Sequence, residues 1–202
     1  MRVGLDFDNT VVCYDALFAR CAREAGLVPP DTPEAKKAVR DTIRRLHGNG
    51  PWVELQAEVY ARRILEAEPA PGFLEFLEGC ERRQVWLAVI SHKTRAPAAA
   101  PDLDLHGAAR SWLEHHRLED RGVPRERWFF ETTREAKLTR VAREGCTHFV
   151  DDLEEIFREP GFPAGVARLL YDPHGTARVP AGVRRFGHWR EIGSWLWGEN
   201  AS

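Results

Sequence analysis

The sequence has little cysteine, no long apolar run and no surplus of positive charge. Its 202 residues include four cysteines, none of them spaced as Cys-x-x-Cys, so a zinc site has little support. The formal net charge of -2 supplies no strong positive field for collecting the phosphates of a nucleic acid. The apolar runs fall well short of the roughly 20 residues that a membrane span needs. We therefore expect neither nucleic-acid nor membrane partners.

The amino terminus carries no pattern of a targeting signal. Met1 leads almost directly into the strand candidate Val3-Gly4-Leu5, without the charged start and apolar stretch of a signal peptide. Together with the scarcity of cysteine, this predicts a soluble protein of the reducing cytoplasm. The length suits one substantial domain, or a core domain with a small accessory one, and leaves the oligomeric state open.

Short apolar runs alternate with helix-like stretches along most of the chain. Short continuous apolar runs are typical of strands that are buried on both faces of a parallel sheet. Candidate strands lie at 3–5, 85–90, 128–130, 147–150 and 166–171, and helical spacing marks 73–83, 107–118, 134–144 and 152–158. This alternation predicts the α/β class, with a doubly wound parallel sheet.

One stretch breaks the alternation. Between residues 14 and 70, apolar side chains recur only at helical spacing, in three groups. Proline and glycine at 29–31 and 47–51 separate the groups and indicate turns. Asp31 or Thr32 is a candidate cap for the second helix. The stretch therefore predicts a small, all-helical insertion.

The insertion divides the chain into two predicted domains. We assign 14–70 to the helical domain, and 1–13 together with 71–202 to the α/β core. The segment 68–72 reads Glu-Pro-Ala-Pro-Gly, and a proline-rich linker of this kind predicts a stiff hinge at the second junction.

Polar side chains follow three of the predicted strands at the point where each strand ends. Asp6-Phe7-Asp8-Asn9-Thr10 comes directly after the first strand, Ser91 after the second, and Asp151-Asp152 after the fourth. Lys137 lies near the start of the helix that precedes the fourth strand. Ligands of open α/β sheets bind at the carboxyl ends of strands, so these side chains converge if their strands are neighbours.

These residue types suit the transfer of a phosphoryl group. A carboxylate can attack a phosphate ester only when the repulsion between the two anions is removed, and Mg²⁺ does this by bridging their oxygens. The candidate Mg²⁺ ligands are three aspartates: Asp6, Asp151 and Asp152. Lys137 and Ser91 would bind the remaining phosphate oxygens. Asp8 is the candidate that protonates the leaving group and then activates water.

In this order the features resemble the haloacid dehalogenase-like (HAD) superfamily. Its four motifs match Asp6-x-Asp8-x-Thr10, Ser91 after an apolar strand, Lys137 and Asp151-Asp152. The resemblance implies a Rossmann-like core, an aspartyl-phosphate intermediate at Asp6, and Mg²⁺ held by Asp6, the Asp8 backbone carbonyl and the Asp151-Asp152 pair. In this superfamily the second aspartate separates phosphatases from dehalogenases, so Asp8 indicates phosphoryl chemistry.

The resemblance also bears on the substrate. The insertion at 14–70 occupies the position of the family's cap, which closes over the site and implies a small phosphorylated substrate. Asn9 stands where the family more often has glycine, and it is a candidate phosphate contact together with His92. The neighbouring basic residues Lys93 and Arg95 are either substrate contacts or part of a solvated loop.

Four functions compete at this point. The first is a phosphatase acting on a sugar phosphate or a nucleotide. The second is a phosphomutase or phosphotransferase that uses the same aspartyl phosphate, which the sequence does not separate from the first. A non-hydrolytic regulatory protein is disfavoured because every part of the site is present. A phosphoacceptor receiver domain is disfavoured because Asp6 ends the first strand and because the helical insertion is foreign to that fold.

Overall fold

The computed structural model describes residues 1–199, which form two compact units. The first, here called the sheet unit, comprises Met1–Val12, Pro69–Lys93 and the chain from Arg117 onward. The second, here called the helical unit, comprises Cys13–Glu68 and Thr94–His116. The last three residues of the predicted core segment 71–202 lie outside the described residues.

A parallel sheet forms the centre of the sheet unit. In chain order the strands are β1 (Arg2–Leu5), β2 (Val12–Cys13), β3 (Glu68–Pro69), β4 (Trp86–His92), β5 (Trp128–Glu131), β6 (His148–Asp151), β7 (Ala167–Tyr171) and β8 (Val183–Phe186). The two short strands β2 and β3 pair with each other, and the other six form one sheet in the order β5-β4-β1-β6-β7-β8. All of its neighbours run parallel. The predicted doubly wound, Rossmann-like α/β fold is confirmed.

Burial explains why the central strands were visible in the sequence. Val3 and Leu5 of β1 and Leu87 to Ile90 of β4 are almost completely buried, as a strand covered on both faces requires. Strand β8 escaped prediction because it lies at the edge of the sheet, where two of its four residues, Arg184 and Arg185, are exposed. Charged side chains on an edge strand also hinder pairing with another chain.

Seven α-helices lie within residues 1–199. They are α1 (Asp15–Glu24), α2 (Lys36–His47), α3 (Gly50–Ala57), α4 (Phe73–Arg82), α5 (Leu105–His115), α6 (Arg134–Arg143) and α7 (Trp189–Leu196). Helices α4, α6 and α7 belong to the sheet unit, and the others belong to the helical unit. The helix predicted at 152–158 is a 3-10 turn, Glu154–Arg158. None of these described helices combines the length and the apolar character needed to cross a bilayer.

One local prediction in the 14–70 stretch was wrong. Neither Asp31 nor Thr32 caps α2, which starts later, at Lys36; the Lys36 backbone N–H donates instead to Asp15 Oδ1, at 2.7 Å. The local sequence cannot predict this start, because the carboxylate that accepts the bond belongs to another helix. In the segment 68–72, Glu68 and Pro69 form strand β3 against β2, and the stiff hinge stays a prediction.

Helix α5 belongs to the helical unit, although the sequence placed residues 94–116 in the core. It starts at Leu105, where the Asp104 carboxylate accepts a hydrogen bond from the His106 backbone N–H at 3.0 Å. Its buried Trp112 donates from Nε1 to the Ala67 carbonyl at 2.7 Å. Periodicity identified the helix but not the surface that it covers, because a buried tryptophan looks the same in either unit.

Candidate active site

The centre of the sheet is where the chain changes direction of winding. Strand β1 lies between β4 and β6, and the strands added after β4 and after β6 extend the sheet to opposite sides. Such a switch point leaves a crevice at the carboxyl ends of the strands. Asp6 follows β1 directly, and its backbone N–H donates to the Val150 carbonyl of β6 at 2.9 Å. The first motif is thereby fixed to the neighbouring strand.

The Asp6 carboxylate is buried and held by several donors. Its side chain lies at the sheet centre with the whole residue only 4 % exposed. Oδ1 accepts from the Ser91 hydroxyl at 2.8 Å and from Lys137 Nζ at 2.6 Å. Oδ2 accepts a longer bond from the Thr10 hydroxyl, at 3.4 Å. The predicted convergence of the first three motifs is therefore seen in the structure.

Lys137 joins the first motif to the last. Its Nζ also donates to Asp151 Oδ2 at 2.6 Å, and the residue is only 2 % exposed. Helix α6 brings Lys137 to this place, since the Thr133 hydroxyl caps its start by accepting from the Ala136 N–H at 3.0 Å. One helix followed by one strand thus spans the 14 residues between the lysine and Asp151.

Burial and neighbouring charges shift the pKa values of both Lys137 and Asp151. Burial lowers the pKa of the Lys137 ammonium, but attraction to Asp151 and Asp6 more than offsets it, so the pKa lies above its usual value. Burial raises the pKa of the Asp151 carboxyl, Lys137 opposes this, and the nearby Asp6 raises it further; the net shift is upward. The carboxylates of Asp6 and Asp151 share the single ammonium of Lys137, so the three groups together carry a surplus of negative charge.

The surplus charge fits a divalent metal ion. Asp6, Asp151 and Asp152 each offer an oxygen, and these oxygens lie within 4.8 Å of one another. Three carboxylates with one ammonium leave two negative charges, and an all-oxygen donor set is the kind that Mg²⁺ prefers. Thr10 lies beside the set, with its hydroxyl 3.5 Å from Asp152 Oδ1. The Asp8 carbonyl as a further ligand stays a prediction.

Asn9 shapes the loop of the first motif. Its φ is +56°, in the left-handed region that glycine enters freely and that asparagine tolerates better than most residues. This explains how asparagine can stand where the resembled family more often has glycine. A contact between Asn9 and phosphate stays a prediction.

The second motif extends two residues beyond its serine. Strand β4 continues through His92, and alternate residues of a strand point to opposite faces. His92 is exposed, whereas Ser91 and Lys93 on the other face are buried. His92 therefore points away from the face that carries Ser91 and Lys93, and its binding of phosphate stays a prediction.

Lys93, for which the sequence left a substrate contact and a solvated loop open, is buried beside Asp8. Its Nζ contacts both carboxylate oxygens of Asp8, at 2.7 and 2.8 Å, and the residue is 5 % exposed. Period-two alternation from Ser91 would have pointed to it, but the predicted strand stopped at residue 90. The site thus holds two lysines, Lys137 on Asp6 and Lys93 on Asp8.

The last helix supports the first motif from behind. Trp189 at the start of α7 is completely buried and donates from Nε1 to the Thr10 carbonyl at 3.0 Å. Its ring packs against Phe73 and Phe76 of α4, with centroids 5.0 and 4.8 Å away. The loop after β1 is therefore anchored to a helix formed almost 180 residues later in the chain.

Fold and site together describe a doubly wound α/β protein with a buried aspartate at its switch point. Solved structures with this architecture match the chain over nearly its full length. An HAD family hydrolase from Deinococcus radiodurans R1, described with bound phosphate and sodium, is 14 % identical with a TM-score of 0.58, covering 98 % of this chain and 95 % of its own. A putative beta-phosphoglucomutase from Thermotoga maritima is 16 % identical with a TM-score of 0.55, covering 98 % of both chains.

A third structure, described as a dehalogenase, is 14 % identical with a TM-score of 0.58 and covers 100 % of this chain and 97 % of its own. A scan of protein-family models and a search of curated proteins each found no match. The structural likenesses confirm the predicted fold, which is that of HAD-superfamily hydrolases. Because the matched structures differ in described activity, the reaction has to be argued from the residues of this chain.

Proposed function

We propose that this protein is a Mg²⁺-dependent phosphatase that hydrolyses a small phosphate monoester through an aspartyl phosphate on Asp6. The observation that carries the proposal is the contact set of the Asp6 carboxylate. It is buried, bonded to Ser91 and Lys137, and adjacent to the Asp151-Asp152 pair. A carboxylate fixed among donors and metal-binding oxygens suits attack on a phosphoryl group.

In the first step an Asp6 oxygen forms a bond to phosphorus, and the bond between phosphorus and the leaving oxygen breaks. Ser91 and Lys137 hold the nucleophile in place and present donors to the oxygens of the transferred group. Asp6, Asp151 and Asp152 would hold Mg²⁺, which when bound neutralises charge between the carboxylates and the phosphate. The leaving oxygen departs with a proton supplied by Asp8.

In the second step water attacks the phosphorus of the aspartyl phosphate. Asp8 takes the proton of that water, the bond between Asp6 and phosphorus breaks, and inorganic phosphate is released. Asp8 suits both steps because it lies two residues from Asp6 on the same loop and its side chain remains a quarter exposed, open to a leaving group and to water. The presence of Asp8 also favours phosphoryl transfer over carbon-halogen cleavage, because the resembled superfamily has this second aspartate in its phosphatases and lacks it in its dehalogenases.

The test is phosphate release from a panel of sugar phosphates, nucleotides and simple alkyl phosphates in the presence of Mg²⁺. Release of inorganic phosphate that is lost in Asp6→Asn supports the proposal. Phosphate appearing on a second hydroxyl without release would identify a phosphomutase or phosphotransferase instead. Release of halide from a 2-haloacid, with no phosphate released from any ester, would refute phosphatase chemistry.

A further inference from the structure

A second buried lysine sits beside the residue that moves the proton. Lys93 Nζ lies 2.7 Å from Asp8 Oδ1 and 2.8 Å from Oδ2, so the ammonium bonds to both oxygens at once. The Lys93 side chain is 4 % exposed and that of Asp8 is 25 % exposed. Charge-assisted bonds in such shielded surroundings are stronger and more restrictive than surface ion pairs.

The sheet holds the backbone of Lys93 firmly. After the last residue of β4, the Lys93 N–H still donates to the Glu131 carbonyl at 2.8 Å and continues the ladder between β4 and β5. The ammonium also lies 5.4 Å from the centre of the Phe7 ring, within the range of a cation–π contact. Phe7 is buried edge-on against Phe130 of β5, with centroids 5.6 Å apart. Lys93 is therefore anchored at its backbone and along its side chain.

Asp8 lies in the loop after β1, where its backbone forms an isolated bridge with Val12. An aspartate side chain on a loop can rotate about two bonds, and each rotation moves its oxygens away from a leaving group. Proton transfer requires those oxygens to lie within hydrogen-bond reach of the reacting atom.

We propose that Lys93 is a positioning residue that fixes the Asp8 carboxyl group for both proton transfers, through one oxygen while the other carries the proton and through both oxygens when Asp8 is ionised. The inference rests on the proposed phosphatase function, because it assigns Lys93 a role through Asp8 and not through the transferred phosphoryl group. The two lysines then have separate roles: Lys137 orients the nucleophile Asp6, and Lys93 orients Asp8, which carries the proton. The pattern Ser91-x-Lys93 at the end of β4 supplies one residue to each aspartate of the first motif.

A positioning role has a specific kinetic signature. A proton donor matters most when the leaving oxygen is a strong base, as in an alkyl phosphate, and least for a leaving group such as 4-nitrophenolate. Loss of Lys93 should therefore lower kcat for alkyl phosphates more than for 4-nitrophenyl phosphate. A residue that binds the phosphoryl group would affect both substrates equally, since both carry the same group.

The experiment compares Lys93→Met, Lys93→Arg and the exposed-lysine control Lys37→Met with the unaltered protein. We expect Lys93→Met to lose about 10- to 100-fold in kcat on the alkyl phosphate, at or below the lower end of the roughly 10²- to 10⁴-fold that a positioned proton donor contributes, with KM nearly unchanged. Lys93→Arg should recover part of the loss, because guanidinium also binds a carboxylate through two donors. Lys37→Met should match the unaltered protein.

The double variant Asp8→Asn/Lys93→Met tests whether Lys93 acts through Asp8 or independently of it. If Lys93 acts through Asp8, removing Lys93 from Asp8→Asn should produce little further loss. Independent, multiplying losses, or a loss that falls in KM, would overturn the inference, as would equal losses for the two leaving groups. Thermal unfolding of each variant identifies a variant that has failed to fold; if Lys93→Met fails, the uncharged Lys93→Gln carries the same comparison.

Failure of this inference is distinct from failure of the proposed function. If the unaltered protein releases no phosphate from any substrate, the phosphatase proposal itself is wrong. If it does release phosphate and Lys93→Met matches it on the alkyl phosphate, only the role of Lys93 is wrong.

Discussion

The two units differ in where paired charged residues lie: the sheet unit buries several of them in its interior, whereas those of the helical unit lie at the surface. In the sheet unit, Asp6, Lys93, Lys137 and Asp151 are buried and bonded to one another or to Asp8. Among the described residues of the helical unit, Thr32 is the one buried polar residue, and the charged side chains form ion pairs at the surface. Its interior is aromatic instead, with Phe18 stacked on Trp52 at 4.9 Å between ring centroids.

The difference separates residues kept for chemistry from residues kept for packing. Burying a charge is costly unless it is paired, and apolar residues of similar size would often stabilise the fold as well or better. Four buried charges at the switch point are therefore hard to explain by stability alone. Surface pairs are worth little either way. We expect substitutions in the buried cluster to change activity strongly and substitutions of surface pairs to change almost nothing.

The largest expected effect is that of Asp6→Asn. The change keeps the shape of the side chain and removes the nucleophile, so phosphate release should fall by more than about 10³-fold. Circular dichroism should show an unaltered fold. Turnover close to that of the unaltered protein would sink the assignment of Asp6.

Removal of metal comes next. The donor set of Asp6, Asp151 and Asp152 predicts that EDTA abolishes phosphate release and that added Mg²⁺ restores it. The binding itself can be followed without turnover, because a ligand that binds only the folded state raises the melting temperature. Full activity after exhaustive chelation would contradict this reading of the site.

Lys137→Met should affect stability as well as activity. It leaves the adjacent, buried carboxylates of Asp6 and Asp151 without their ammonium, and breaking a buried ion pair costs about 3–5 kcal/mol. Urea unfolding measures the loss, and Mg²⁺ should recover part of it by neutralising the same carboxylates. An unfolding midpoint equal to that of the unaltered protein would show that the ion pairs of Lys137 with Asp6 and Asp151 do not contribute the stability expected of them.

The smallest expected effect is that of Arg62→Gln in the helical unit. Arg62 and Glu58 form an exposed pair one turn apart, at 3.3 Å, and such pairs contribute about 0.3–0.5 kcal/mol. Urea unfolding beside Lys137→Met gives the direct contrast. A destabilisation as large as that of Lys137→Met would remove the distinction between the two units.

Much of the site could be predicted because its residues lie at the ends of buried strands. Asp6, Ser91 and Asp151 follow apolar runs, and the parallel sheet brings those ends together. The unpredicted features depend on contacts distant in sequence. The contact of Lys93 with Asp8 was not predicted because strand β4 continues two residues past its apolar run. The hydrogen bond of Trp189 to Thr10 was not predicted because it joins residues near the two ends of the chain.

The boundaries of the units could not be predicted for a similar reason. Helix α5 was visible in the sequence, but its place in the helical unit depends on the contact of Trp112 with Ala67. The start of α2 depends on Asp15, a residue 21 positions earlier. Local patterns determine which element forms, whereas these partners are chosen by packing.

The most direct test of the central claim is to trap the phosphoryl group on the protein. The Asp8→Asn variant, mixed with 4-nitrophenyl phosphate and Mg²⁺ and quenched in acid during turnover, should accumulate the intermediate, because this leaving group needs a proton donor least whereas activation of water is impaired. Peptide mass mapping should then find one added phosphoryl group on the peptide that contains Asp6, and none in the Asp6→Asn/Asp8→Asn double variant. A phosphoryl group on any other residue, or one that persists in the double variant, would contradict the account.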